Sequence, residues 1–206
     1  MPDFSPRLLR SFVQTVSAEL GTDTLSAVLD KAGLSLLLAD PSTGSGRRPA
    51  AVARLDASAA AHSYAGIQQS LRVYYGRGAR GILLRVGAQF WKRLLNEASL
   101  TLKPQIPIAR GLSTAARPKP ALDLLARLLS FKAGDITVHT LDLDLLLVDH
   151  VSPTTYEQRD DESICWVTMG LMRESLFWAA GREYDITETS CRANGAGQCE
   201  FHIKTV

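Results

Sequence analysis

The sequence predicts an α+β fold, with N-terminal helices followed by an antiparallel sheet packed against helices. Three observations carry this prediction. Apolar residues recur at helical spacing through the first part of the chain, strand-like segments appear only after Gly134-Asp135, and one apolar helix-like run stands between two pairs of strands. With 206 residues, 46% of them hydrophobic, the chain can bury a sizeable core without disulfides.

The elements follow in order. Residues 5–20 place Leu8, Leu9, Phe12, Val13, Val16 and Leu20 on one helical side, with Pro6 in the first turn and Gly21 as the stop. Thr22 or Asp23 caps a second helix, which runs to Ala32 and ends at Gly33. The turn-forming polar run at 40–49 (DPSTGSGRRP) separates this N-terminal helical hairpin, residues 1–49, from a main domain over residues 50–206. Two further helices are expected at 57–75 and 79–98, broken by Gly76-Arg77-Gly78. The prolines between 99 and 120 predict a long connection, followed by a short helix at 121–131. Residues 136–142 and 145–151 read as an antiparallel hairpin turning around Leu143-Asp144, with Asp142, Asp144 and Asp149 on its solvent face. A helix at 165–180 is stopped by Gly181. Short strands at 183–188 and 199–204 flank a glycine-rich loop.

Charge is unevenly distributed. Between residues 57 and 122 ten basic residues accompany one acid, Glu97, whereas between 135 and 188 twelve acids accompany three arginines. Mutual neutralisation within one fold is the preferred reading over attraction of an acidic partner, because sequence charge does not reveal surface placement. There is no finger or recognisable RNA motif, so nucleic acid is not an expected partner. No apolar run reaches the roughly 18 residues of a membrane span, and the N-terminus lacks signal-peptide features. A cytoplasmic protein with reduced thiols is expected.

The most informative pattern is Cys165-x22-Glu188-x2-Cys191-x7-Cys199. Zinc prefers thiolates and accepts a carboxylate as a fourth tetrahedral ligand. Cys165 would sit at a helix N-terminus, which favours the thiolate, and Cys191 and Cys199 at the two ends of one hairpin. Gly195 and Gly197 let the intervening loop fold back. The residues alone leave two readings open: a zinc site, or three unrelated buried thiols.

The segment Cys165-Trp166 … Gly170-Leu171-Met172-Arg173-Glu174 … Gly181 … Glu188-x2-Cys191 … Gly195-x3-Cys199-Glu200-Phe201 resembles the C-terminal signature of the 4-vinyl reductase domain family. The run from Tyr75 to Gly81 and Leu84-Arg85-Val86-Gly87 also resembles stand-alone members. The resemblance covers about residues 50–206. It implies that Cys165, Glu188, Cys191 and Cys199 bind zinc, as in the phenol-sensing regulators that carry this domain. It also implies an α+β fold shared with vesicle-tethering subunits of the TRAPP complex, a small hydrophobic ligand, and a homodimer. Four protein ligands would make the metal structural.

Apolar pocket walls are sought among the aromatic residues of the helices: Tyr74, Phe90, Trp91, Trp166, Met169 and Phe177. The same spacing serves an ordinary core, and sequence does not separate the two. Three functions remain: a sensory or carrier domain for a small apolar or aromatic ligand such as a lipid, an accessory or reductase component acting on a vinyl tetrapyrrole in bacteriochlorophyll synthesis, and a scaffolding subunit that binds another protein. No nicotinamide or flavin motif is visible, so catalysis would need a partner.

Overall fold

A computed structural model describes residues 2–35, 55–98 and 112–205. The loop expected at 40–49, the boundary at 49/50 and the first part of the proline-rich connection lie outside those residues.

Helix α1 (Pro6–Leu20) has proline in its first turn, where no amide donor is needed, and is closed by Gly21 at φ 86°. Helix α2 (Thr22–Lys31) follows at once. Helix α3 (Ala57–Tyr75) is capped by the Asp56 carboxylate, which accepts from Ala59 N at 2.7 Å. A 3-10 turn at Gly76–Gly78 leads into α4 (Ala79–Glu97), so the predicted break is where the glycines put it. Helix α5 (Pro118–Leu129) begins three residues before the expected start. Pro118 and Pro120, expected in the connection, both fit a first helical turn.

The strands are β1 (Ile136–Leu141), β2 (Asp144–Asp149), β3 (Asp185–Ser190) and β4 (Cys199–Lys204). They form one antiparallel sheet in the order β1-β2-β4-β3. The β1–β2 turn is Asp142-Leu143, one residue before the predicted centre, with Asp142 at φ 50°. Helix α6 (Trp166–Ala180) crosses between β2 and β3 and ends at Gly181 in the left-handed conformation.

Leu145, Leu147, Ile186, Phe201 and Ile203 fill the inner face of the sheet. Asp149 continues that alternation and is 3% exposed, so its expected place on the solvent face is corrected: the parity of Leu145 and Leu147 carries it inward. Helix α6 is apolar on nearly every side and packs on α4 and α5. One hydrophobic core runs from Phe4 to Ile203. Phe12 of α1 meets Tyr64 of α3 and Phe90 of α4 edge to face, so the N-terminal helices share that core. Among the described residues no helix is long and apolar enough to cross a membrane.

Candidate metal centre

Three elements converge at the inner end of the sheet. Cys165 is the N-cap of α6, Glu188 lies on β3, Cys191 directly follows β3, and Cys199 opens β4. A regular strand would turn residues three apart to opposite faces. Here the β3–β4 register shifts between Glu188 and Ser190: Glu188 pairs with Phe201, whereas Ser190 pairs with Glu200. This irregularity at Thr189 reverses the alternation, so Glu188 and Cys191 both point inward. The chain then makes a 3-10 turn at Arg192–Asn194, passes Gly195 at φ 97°, and returns to Cys199. Asn194 N and Ala196 N both donate to Cys191 O at 3.2 Å, which closes the loop.

The four donor atoms of Cys165, Glu188, Cys191 and Cys199 lie within 4.8 Å of one another. Cys165 Sγ is 3.9 Å from Cys191 Sγ and 3.6 Å from Cys199 Sγ. Zinc–sulfur bonds of about 2.3 Å at tetrahedral angles place two sulfurs about 3.8 Å apart. The spacing therefore suits a four-coordinate ion. All three cysteines are free and fully buried. Glu188 Oε2 accepts from Cys165 N at 3.3 Å, while its Oε1 is buried with no hydrogen-bond partner. An orphaned carboxylate oxygen among three sulfurs is costly unless a cation joins them.

The electrostatics agree. Burial pushes the Glu188 carboxyl up to about 8. Hydrogen bonds to Cys191 and Cys199, with burial, hold the Cys165 thiol well above the usual thiol range. The same contact with Cys165, and one with Cys199, lowers Cys191. Without an ion the cluster has to share protons; a divalent ion replaces them.

A supporting layer surrounds these donors. Arg192 N donates to Cys199 Sγ at 3.3 Å, and Ser152 Oγ sits 3.7 Å from Cys165 Sγ. Asp149 Oδ1 accepts from Ser152 N at 2.7 Å and Val151 N at 3.2 Å, and Asp149 pairs with Cys199 across the β2–β4 ladder. Ser152 is fully buried at φ 33°. Nothing in local sequence marks Ser152; alternation with Leu145 and Leu147 is the available signal for Asp149. His202, the rival ligand, points to the outer face and pairs with Asp144 at 3.1 Å.

The six aromatic and methionine candidates are not gathered at one place. Phe90 and Trp91 are fully buried, Phe90 against Phe12 and Trp91 edge-on to Trp178 with centroids 5.6 Å apart. Met169 is buried and Trp166 half-buried, while Tyr74 and Phe177 stand about half exposed. A different set encloses a small cavity between the helical layer and the sheet: Phe4, Tyr64, Ile136, Asp149, Thr154 and Thr168 are among its walls. Phe4 stacks on Tyr64, and Gln68 Nε2 donates to Thr154 Oγ1 at 3.2 Å.

Residues 151–205 match the family model of the 4-vinyl reductase domain. This part of the chain belongs to that family. The 4-vinyl reductase segment contains α6, β3, β4 and all four donors. No curated protein matches the chain. Among solved structures, the chain is similar to an H-NOX protein from S. oneidensis in the Fe(II)NO ligation state, with 12% identity and a TM-score of 0.58 over 97% of this chain and 98% of that one. It is also similar to an oxygen-binding H-NOX domain related to soluble guanylate cyclases, with 13% identity and a TM-score of 0.52 over 96% and 92%. At such identities the likeness concerns the fold, and it sets the 4-vinyl reductase segment within a full-length α+β architecture of H-NOX type.

Proposed function

We propose that this chain is a cytoplasmic sensory or carrier domain for a small apolar molecule, built around a structural zinc ion held by Cys165, Glu188, Cys191 and Cys199. The observation that carries the proposal is the tetrahedral spacing of three sulfurs around an unpartnered Glu188 Oε1. Four protein ligands leave no open coordination position, so the ion clamps α6 to the β3–β4 hairpin and does not meet substrate. Two thiolate ligands flank a single seven-residue loop, and the third opens the helix, so losing the ion would free both.

The ligand is assigned to the cavity between Phe4, Tyr64, Ile136 and Thr154. Its volume is about 20 Å³, room for one water, so a larger guest has to part the N-terminal segment from the sheet. Apolar walls with the Tyr64 and Thr154 hydroxyls suit an aromatic or short aliphatic molecule carrying one polar group. Of the H-NOX proteins similar in shape, one carries nitric oxide on Fe(II) and another binds oxygen, which supports a sensory role for the architecture. A haem held by histidine is disfavoured, because all four histidines face outward with other partners: His62 with Glu157, His139 with Thr137, His150 with Thr137 and Gln198, and His202 with Asp144.

Native mass spectrometry and elemental analysis of freshly isolated protein test both parts. One zinc per chain and a co-purified small apolar molecule are expected. Protein that folds at full stability without any metal would end the proposal, and a bound pigment would move it to the tetrapyrrole reading.

A further inference from the structure

The outer face of the sheet carries a second arrangement of ligating side chains, remote from the buried sulfurs. Thr137 on β1 lies 2.9 Å from His139 Nε2 and 3.1 Å from His150 Nε2, both measured to its hydroxyl oxygen. His139 is on the same strand, and His150 follows the end of β2. Two imidazoles from neighbouring strands thus aim their Nε2 atoms at one point in solvent reach.

The hydrogen bonds around them assign the proton positions. Gln198 Nε2 donates to Glu200 Oε1 at 2.7 Å, which turns its amide oxygen toward His150. That oxygen lies 2.9 Å from His150 Nδ1, so Nδ1 carries the hydrogen and Nε2 keeps its lone pair. The Thr137 hydroxyl then donates to His150 Nε2 and accepts from His139 Nε2–H. Glu200 is itself held, since Ser190 Oγ donates to its Oε2 at 3.3 Å. The chain of contacts spans the sheet, and its effect is to fix one imidazole with a free, outward Nε2. A metal-binding histidine has this same requirement: its second nitrogen donates to an oxygen that sets ring orientation and tautomer.

We propose that His139 and His150 form a second, surface cation site for a borderline divalent ion such as nickel(II), copper(II) or zinc(II). Imidazole nitrogen suits these ions, whereas magnesium and calcium prefer oxygen. His150 arrives preset. His139 shifts its hydrogen to Nδ1, and the Thr137 hydroxyl gives up its bridging place to the ion. Water completes the coordination, so the site is exchangeable, unlike the closed sulfur cluster. The assignment does not depend on the zinc or ligand proposed above.

Nickel(II) titration of zinc-saturated full-length protein, followed by calorimetry and by broadening of histidine ring NMR signals, is the test. One nickel per chain is expected, with His139 and His150 signals broadened and those of His62 retained. His139→Ala and His150→Ala should each weaken binding at least tenfold, and Gln198→Ala about tenfold by releasing the ring of His150. His202→Ala, on the same face but paired with Asp144, should leave it unchanged. Zinc content and circular dichroism of each variant establish that it is folded. Equal nickel affinity in wild type and the His139→Ala/His150→Ala double variant would overturn the assignment, as would uptake by wild type without histidine broadening.

Discussion

Gly87 of α4 and Gly170 of α6 meet backbone to backbone. A Cβ at position 87 would come within 2.2 Å of the Val167 carbonyl oxygen, and one at 170 within 2.1 Å of the Leu84 carbonyl oxygen. The two helices run parallel from this crossing, as the Lys92–Glu174 ion pair and the Trp91–Trp178 contact toward their C-terminal ends show. Because α6 begins at Cys165, the crossing also sets where the metal cluster's first sulfur stands.

Gly87→Ala and Gly170→Ala should therefore each destabilise the protein by about 3 kcal/mol or more, since rigid backbone on the partner helix has to move. Gly81→Ala is the matched control. It lies in α4 with nothing within 4 Å of the added carbon, and should stabilise by about 0.5–1 kcal/mol. Urea unfolding midpoints at constant slope read all three. Equal effects at 81 and 87 would contradict the close crossing.

Much of this arrangement is legible in the chain. Helical spacing and glycine stops locate α1, α3, α4 and α6, and the two β hairpins follow from β-branched runs and their turns. The four donors are legible because a helix start and both ends of one hairpin are places that topology can bring together. The Glu188-x2-Cys191 spacing makes sense only with the register shift at Thr189, which no local pattern announces. The Gly87–Gly170 contact is likewise tertiary: either glycine alone reads as a weak helix residue. Phe90 and Trp91 show the limit of periodicity, which identifies a buried face without telling a packed core from a ligand wall.

The zinc clamp makes a coupled prediction. Chelation and Cys191→Ser remove the same interaction, so each should lower stability by several kcal/mol, on the order of 3, and the variant should lose little more on chelation. Glu188→Gln should cost less, because an amide oxygen still reaches the ion although it lacks the charge. Thermal unfolding with and without a zinc chelator gives all four corners of the cycle. Fully additive losses would mean that Cys191 stabilises the fold by packing alone.

The pH dependence should reverse sign with the metal. In the ion-free protein Glu188 is raised from 4.5 to about 8 and Asp149 from 3.8 to about 6, both chiefly by burial. A carboxyl with a raised folded pKa contributes stability that is complete below its unfolded pKa and lost as pH rises through the folded one. Metal-free protein should accordingly lose stability from about pH 4 to 8, the lower part through Asp149 and the upper part through Glu188. Asp149→Asn should flatten the first segment and Glu188→Gln the second. Zinc-loaded protein should behave oppositely and lose stability on acidification, as protons displace the ion from sulfur. Chelated samples unfolded across this range, beside zinc-saturated ones, decide the matter: parallel profiles would rule out a proton-for-metal exchange at the cluster.

The β1–β2 turn supports the outer histidines and can be probed without touching them. Leu141 pairs with Asp144, leaving Asp142-Leu143 as a two-residue connection with Asp142 at φ 50°. Aspartate tolerates that conformation and glycine adopts it freely, whereas a β-branched residue is strained there. Asp142→Gly should be neutral or stabilising by up to about 0.5 kcal/mol, and Asp142→Val should cost about 1–2 kcal/mol. The turn precedes the 4-vinyl reductase segment, so zinc content should stay at one per chain in both variants while unfolding midpoints separate. If Asp142→Val instead matched wild type, the strand register would have to slip, and with it the opposition of His139 to Leu146 that brings His139 and His150 to a common hydroxyl.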